Sequence, residues 1–245
     1  MRIAGLQARP PRAEDVATAV SGATALLGQR PAITGLDPLG RREQGFVSLA
    51  GWVAKGANLL ALELGLGPGG RVALAGPAGW PLASVALSAW WVGATVVPVG
   101  APADVRVLHV ATSGAGVTGE VLWFGDGLDG TGSAEGEQWT DAVTPHGDRP
   151  PPTARDGDLV ALDLSTEIRP TQRELLDAFA SDDGGVLGIV RDGDEDVLSG
   201  ADVAARLSAL ALRPLVTGSA TVVVSQDDPS RDAHAQAERI VRWLA

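Results

Sequence analysis

The chain has 245 residues, enough for one large α/β domain or two small ones with a core that needs no covalent staple. A hydrophobic content of 45% beside 20% charged residues excludes a disordered chain, and a formal charge of −11 with a single lysine, Lys55, excludes a phosphate-backbone partner. Cysteine is absent, which removes disulfides, thiolate nucleophiles and Cys-ligated zinc together and fits a reducing, cytoplasmic setting.

The amino terminus, MRIAGLQARPPRAEDVATAV, has no continuous apolar core before Pro10-Pro11 and does not read as a signal peptide. The spacing of Val16, Val20, Ala23 and Leu27 predicts a helix over 13–27, with Gly28 as its stop. Pro31-Ala32-Ile33 is a short apolar segment, and 36–43 reads as a polar, turn-rich connection. Ser48 is suited to cap a helix that carries Leu49, Trp52, Val53, Ala57, Leu60 and Leu64 on one stripe and ends at the glycines of 65–70. A strand over 71–75 follows, then a helix with Pro81 in its first turn running to about Val92. Strands are predicted over 94–99, 105–111 and 121–124. Residues 72–103 carry no charge, yet Gly76, Pro77, Gly79, Pro81, Gly93 and Pro98 interrupt the run. Two buried strands around a buried helix explain it better than a membrane span of about 20 residues.

After Phe124 the composition shifts to Gly, Asp, Glu, Ser and Pro. We read 126–157 as a loop or linker between an amino-terminal α/β subdomain, 1–125, and a second one, 158–245, packed on the first. Beyond it the pattern predicts a strand over 159–164, a helix over 171–180 and a strand over 186–190. A helix over 199–211 capped by Ser199, a strand over 220–224 and a closing helix over 231–244 follow. Strands alternating with helices imply an α/β fold of mostly parallel sheets covered by helices on both faces.

Several segments fall in an order that carries a resemblance. They are Asn58-Leu59-Leu60-Ala61, Gly70-Arg71-Val72-Ala73-Leu74, Trp80-Pro81 and Gly93-Ala94-Thr95-Val96-Val97-Pro98. Together they resemble the amino-terminal region of the AMP-forming adenylating superfamily, which includes acyl-CoA synthetases and luciferases. Later, Leu212-Arg213-Pro214-Leu215-Val216-Thr217-Gly218-Ser219-Ala220-Thr221-Val222-Val223 resembles that family's Pro-Leu-x-x-Gly-x-x-Val-Val segment. The chain is also similar to a group of short actinobacterial proteins that look like shortened members of the superfamily. The resemblance implies an acyl-CoA-synthetase-like amino-terminal fold and places the family's phosphate loop after Asp156-Gly157-Asp158-Leu159-Val160-Ala161-Leu162.

At that place the chain reads Asp163-Leu164-Ser165-Thr166-Glu167-Ile168-Arg169-Pro170-Thr171-Gln172-Arg173, where the family writes a glycine-rich loop ending in Pro-Lys-Gly. A Ser/Thr pair and Pro170 match; the glycines and the lysine do not. Glycines there let backbone N–H groups turn toward phosphates, and Asp163 and Glu167 put carboxylates beside them instead. Ser165, Thr166, Arg169 and Arg173 are the candidate vestigial nucleotide-binding residues, at a strand-to-helix junction that could attract an anion. Against this stand Glu167 and Glu174, competing for the same arginines. The family's adenine-side, ribose-side, hinge and carboxy-terminal lysine motifs have no counterparts before Ala245.

Other motifs read as structural. Gly65, Gly67 and Gly70 follow a helix and precede a strand, the reverse of a dinucleotide fingerprint; Gly114, Gly116 and Gly119 lead into a second strand and read as a loop. Asp192, Asp194 and Asp196 imitate a calcium loop, but Val197 and Val203 occupy its glycine and glutamate positions. His109 reads as a core residue, and His146 and His234 as solvated ones. No G-x-S-x-G occurs, and Trp80, Trp90 and Trp91 read as core.

The expectation is therefore a non-catalytic protein with an eroded phosphate loop that binds a small molecule or a protein, or assembles with itself. It needs no metal or cofactor, with weak ATP or AMP binding at most, and has no nucleic-acid or membrane partner. The alternative left open is an active adenylate-forming or acyl-transfer enzyme that uses a non-standard site or a partner chain.

Overall fold

The computed structural model describes residues 8–37, 40–112, 119–125, 136–153, 155–164, 169–191 and 202–244. Helix α1 (Val16–Leu27) starts where the Asp15 carboxylate accepts from the Thr18 amide, and it stops at Gly28 with φ 58°. The segment read as a connection is instead a hairpin, β1 (Pro31–Asp37) and β2 (Gly40–Gly45), paired antiparallel. Its polar sequence is that of an edge strand, with no neighbour beyond β2 among the described residues.

Helix α2 (Phe46–Asn58) begins three residues earlier than Ser48 as its cap would set it. Gly45 occupies the cap position, and the Ser48 hydroxyl bonds Gln44 Oε1 from within the first turn. The helix widens into one π-helical turn at Leu59–Glu63 and ends at Gly65, φ 68°. Strand β3 (Arg71–Ala75), helix α3 (Trp80–Trp91) and strand β4 (Thr95–Val97) come next. All twelve residues of α3 are buried, which accounts for the absence of charge over 72–103. Among the described residues no helix is long and apolar enough to cross a membrane.

Strands β5 (Val105–His109) and β6 (Glu120–Phe124) extend the sheet, followed by β7 (Glu137–Gln138) and helix α4 (Trp139–Val143). The stretch read as a surface excursion thus carries a strand and a helix, and Trp139 is fully buried. Its bulk fills a gap beside Gly56, where a Cβ would lie 2.6 Å from the indole. Helix α5 (Gln172–Asp177), strand β8 (Val186–Arg191), helices α6 (Val203–Ala211) and α7 (Arg213–Thr217) and strand β9 (Thr221–Ser225) follow. Ser199 lies outside the described residues. The closing segment is not one helix: α8 (Arg231–Ala237) gives way at Arg239, φ 56°, to strand β10 (Ile240–Leu244). The run Ile240-Val241-Arg242-Trp243-Leu244 favours a strand, and β8 offers it an open parallel edge.

Two five-stranded sheets result among the described residues, ordered β4-β3-β5-β6-β7 and β10-β8-β9-β1-β2. The first is parallel throughout, and the second is parallel except for the β1–β2 hairpin. Val72 of β3 lies opposite Val96 and Val105, giving the continuous apolar runs typical of strands covered on both faces. Strand pairing crosses the division drawn at 126–157, since β1 and β2 join the sheet built from the carboxy-terminal strands. Helix α3 packs on α1, α2 and α6 and touches strands of both sheets, so one core spans the two.

The turn after α5 ties three distant segments together. Arg213, with a side chain 1% exposed, donates to Asp182 at 2.9 Å and to the Gly185 carbonyl at 2.9 Å. Arg242 of β10 reaches the same carboxylate at 2.6 Å, and Arg9 donates to the carbonyls of Phe179, Ala180 and Asp182. Burial raises the Asp182 pKa, but hydrogen bonds from Arg213, the Gly184 amide and Arg242 outweigh it and bring it down to about 2. A carboxyl with a depressed folded-state pKa stabilises fully above its unfolded value near 4 and loses that contribution as pH falls toward 2. The stability difference between the wild type and Asp182→Asn, measured by urea unfolding, should therefore shrink by about 2 kcal/mol between pH 5 and pH 2.

Candidate functional site

The segment that aligns with the family's phosphate loop forms a hairpin-like excursion rather than the predicted strand over 159–164. Leu162 makes only a parallel bridge to Val96, and Val160 an antiparallel bridge to Thr171. Backbone bonds close its base: the Val96 amide donates to Ala161, the Asp163 amide to Val96, the Ala161 amide to Pro170 and the Gln172 amide to Leu159. The segment prolongs the β4 edge, and Pro170, which has no N–H, serves at the closure as an acceptor only. Ser165, Thr166 and Glu167 lie outside the described residues.

The side chain of Gln172, 2% exposed, fixes the return arm. Its Oε1 accepts from the Val16 amide at 2.9 Å and its Nε2 donates to the Trp90 carbonyl at 2.7 Å. The Trp90 indole N–H in turn donates to Ala161 at 2.8 Å. Thr171 and Glu174 form a reciprocal capping box at the start of α5. The Thr171 amide, then its hydroxyl, holds the Glu174 pKa below the usual carboxylate range.

Both candidate arginines are engaged by carboxylates of the chain itself. Arg169 lies 3.5 Å from Asp163, whose carboxylate also accepts from Arg71 at 3.0 Å and is 16% exposed. Arg173 contacts Glu14 at 2.9 Å and Asp158 at 3.1 Å, and these hydrogen bonds, Glu14 first, raise its pKa further. Among the described residues the competing carboxylates are thus Glu14, Asp158 and Asp163, whereas Glu174 is spent on the helix cap. Sequence inspection did not find Glu14 or Arg71 because both come from segments far along the chain. An anion entering here must displace Asp163 or share Arg71 and Arg169 with it, so the described part of the loop is electrostatically self-satisfied.

The histidines are structural. His109 is buried, edge-to-face with Phe124 at 5.4 Å, and its Nδ1 accepts from the Ala111 amide. His146 and His234, read as solvated, instead pair with Glu63 at 3.2 Å and with buried Asp228 at 2.9 Å. Lys55 donates to the His146 carbonyl and pairs with exposed Asp148. Gly65 and Gly70 form the helix stop and turn expected of them, and Asp192, Asp194 and Asp196 lie outside the described residues. Among the described residues no group of three His, Cys, Asp or Glu side chains is placed to hold a metal ion.

This arrangement of two parallel sheets around α3 is the fold of the amino-terminal region of acyl-CoA synthetases. The Mycobacterium tuberculosis fatty acyl CoA synthetase superposes with a TM-score of 0.69 at 14% identity, over 94% of this chain and 49% of that one. A fatty acyl-adenylate ligase from L. pneumophila, solved with acyl adenylate and pyrophosphate, gives 0.69 at 15% identity, over 95% and 44%. The Brucella canis acyl-CoA synthetase gives 0.66 at 21%, over 88% and 44%. A relative in sequence is a TIGR03089 family protein of Mycobacterium tuberculosis, 36% identical over 138 residues, 51% of this chain and 57% of that protein. No family model matches the chain. The chain spans about half the length of these solved structures. The resemblance read from the sequence thus stands as a shared fold.

Replacing Gln172 by Leu keeps the volume but strips partners from a buried amide and a buried carbonyl. We expect a loss of about 2–4 kcal/mol in chemical denaturation. Arg169→Ala, which removes one rim contact of an exposed side chain, should cost less than about 1 kcal/mol.

Proposed function

We propose that this chain is a binding protein that uses the acyl-CoA-synthetase-type amino-terminal fold without carrying out adenylation. The observation that supports this reading is the commitment of Arg169 and Arg173 to Asp163, Glu14 and Asp158, in a segment with no glycine from 158 to 183. Adenylation needs backbone amides and cations free to meet a triphosphate as charge moves between its oxygens. Here the cations are already neutralised, and the start of α5 is closed by its own Glu174. Ligand or protein recognition by the remaining surface needs neither ATP nor a metal.

A second reading, an adenylate-forming or acyl-transfer enzyme completed by a partner chain, draws on one observation. The solved structures that share the fold are about twice as long as this chain. ATP–pyrophosphate exchange with a panel of carboxylic acids separates the two. The binding-protein reading expects background exchange and no heat of ATP binding at millimolar nucleotide. Exchange abolished by Ser165→Ala or Thr166→Ala overturns it, and exchange appearing only with a co-purified second polypeptide favours the partner-chain reading.

A further inference from the structure

Between α1, the end of α2 and residues 149–155 lies an open groove of about 750 Å³, within the size range of small-molecule sites. Its floor is held in place by hydrogen bonds. Asn58 donates to the Gly147 and Arg149 carbonyls at 2.9 Å each, the Trp91 indole to the Pro151 carbonyl at 3.1 Å, and the Thr153 hydroxyl to the Trp91 carbonyl at 2.6 Å. Pro150, Pro151 and Pro152 fix φ at three successive positions and have no N–H, so this wall is stiff and offers no backbone donor. The charged donors are Arg149 and Arg155, which stand at the two ends of the proline run, are exposed, and both line the groove.

Neither arginine is met by a carboxylate. Arg155 donates Nη1 to the Thr18 hydroxyl at 3.1 Å, and the Arg149 side chain has no partner among the described residues. No Asp or Glu lines this groove, although the chain carries 30 of them against 19 Lys and Arg. The nearby acidic residues are engaged elsewhere. Asp148 pairs with Lys55 at 3.1 Å, Asp156 accepts from the Asp158 amide at 2.9 Å, and Glu63 pairs with His146 at 3.2 Å. The contrast with 163–173, where Arg169 and Arg173 already meet carboxylates, is one of charge. Two uncompensated guanidiniums at one groove call for about two negative charges. A phosphate monoester carries about −1.5 to −2 on one group at pH 7, whereas a carboxylate or sulfate ester carries a single charge.

We propose that this groove binds a small phosphate monoester whose phosphoryl oxygens accept from Arg149 and Arg155. The planar guanidinium forks match phosphoryl oxygens, and Leu62, 72% exposed, and Pro150 give the apolar body of the ligand a surface to lie on. The site shares no residue with 163–173 and stands whether or not the chain adenylates.

The test is isothermal titration calorimetry of the full chain with 1-naphthyl phosphate and 1-naphthyl sulfate, which share a ring system and differ in charge. The expected result is saturable 1:1 binding of the phosphate, roughly tenfold tighter than the sulfate, the equivalent of one further charge-assisted hydrogen bond. Arg149→Gln and Arg155→Gln should each remove that preference. Ser21→Trp, which puts an indole into the groove from an exposed position of α1, should weaken both ligands. Arg30→Gln removes the same charge from an exposed arginine outside the groove and should leave both affinities unchanged. Absence of phosphate binding, or equal affinity for phosphate and sulfate, overturns the proposal. So does a loss in Arg30→Gln as large as in Arg149→Gln and Arg155→Gln, or unchanged phosphate binding by Ser21→Trp. All four positions are exposed, and near-UV circular dichroism checks that each variant keeps the fold.

Discussion

A single buried amide, Gln172, holds together parts of the chain that would otherwise meet only through apolar contact. It receives the first amide of α1 and donates to the last turn of α3, whose Trp90 indole holds the outgoing arm of the 159–172 excursion. Hydrogen bonds of this kind add little net energy each, but losing one partner in a dry interior exposes the full desolvation cost of the other. The position of α5, and with it the reach of Arg169 and Arg173, follows from this node. Apolar packing alone leaves a helix free to slide; a side chain with both a donor and an acceptor in fixed use does not.

Electrostatics then set what the excursion can do. The chain is acidic, and its cations are few and in demand. Around the excursion, Arg71 and Arg169 meet Asp163, and Arg173 meets Glu14 and Asp158. These are partly exposed pairs, worth little as stabilisers, but each lowers the field that a phosphate would feel. At the turn after α5 the burial differs. Arg213 is buried, its carboxylate is shared with a second arginine, and its remaining N–H edge is unused. Asp163 and Asp182 are each shared between two arginines, and what differs is burial: the Arg169 side chain is exposed and that of Arg213 is not.

The elements that were legible in the sequence are those whose burial is complete. Strand β3, helix α3 and strand β9 are largely apolar, and the structure places them within a residue or two of expectation. The elements that were missed are exposed on one side or belong to an edge. Strand β2 is polar, and nothing among the described residues pairs beyond it. Strand β10 follows a helix with no loop signal, and only the open edge of β8 makes it a strand. Segment 159–164 has strand composition but finds room for only one bridge to β4. For the site, Arg169 and Arg173 were nameable from their place in the segment that resembles the phosphate loop, but their pairing with Glu14 and Asp158 was not.

What the sequence alone determined was the architecture: alternating apolar strands and amphipathic helices must bury both faces of a parallel sheet, and the ordered motifs over 58–98 point to one such fold. It also determined that the excursion lacks the glycines that expose backbone amides. Only the tertiary structure decided which charges meet, because ion pairing depends on distances of a few ångströms between residues that lie on different elements of the fold. It also decided that Arg213 is buried with an unmet N–H, since desolvation belongs to the folded chain and to no local pattern.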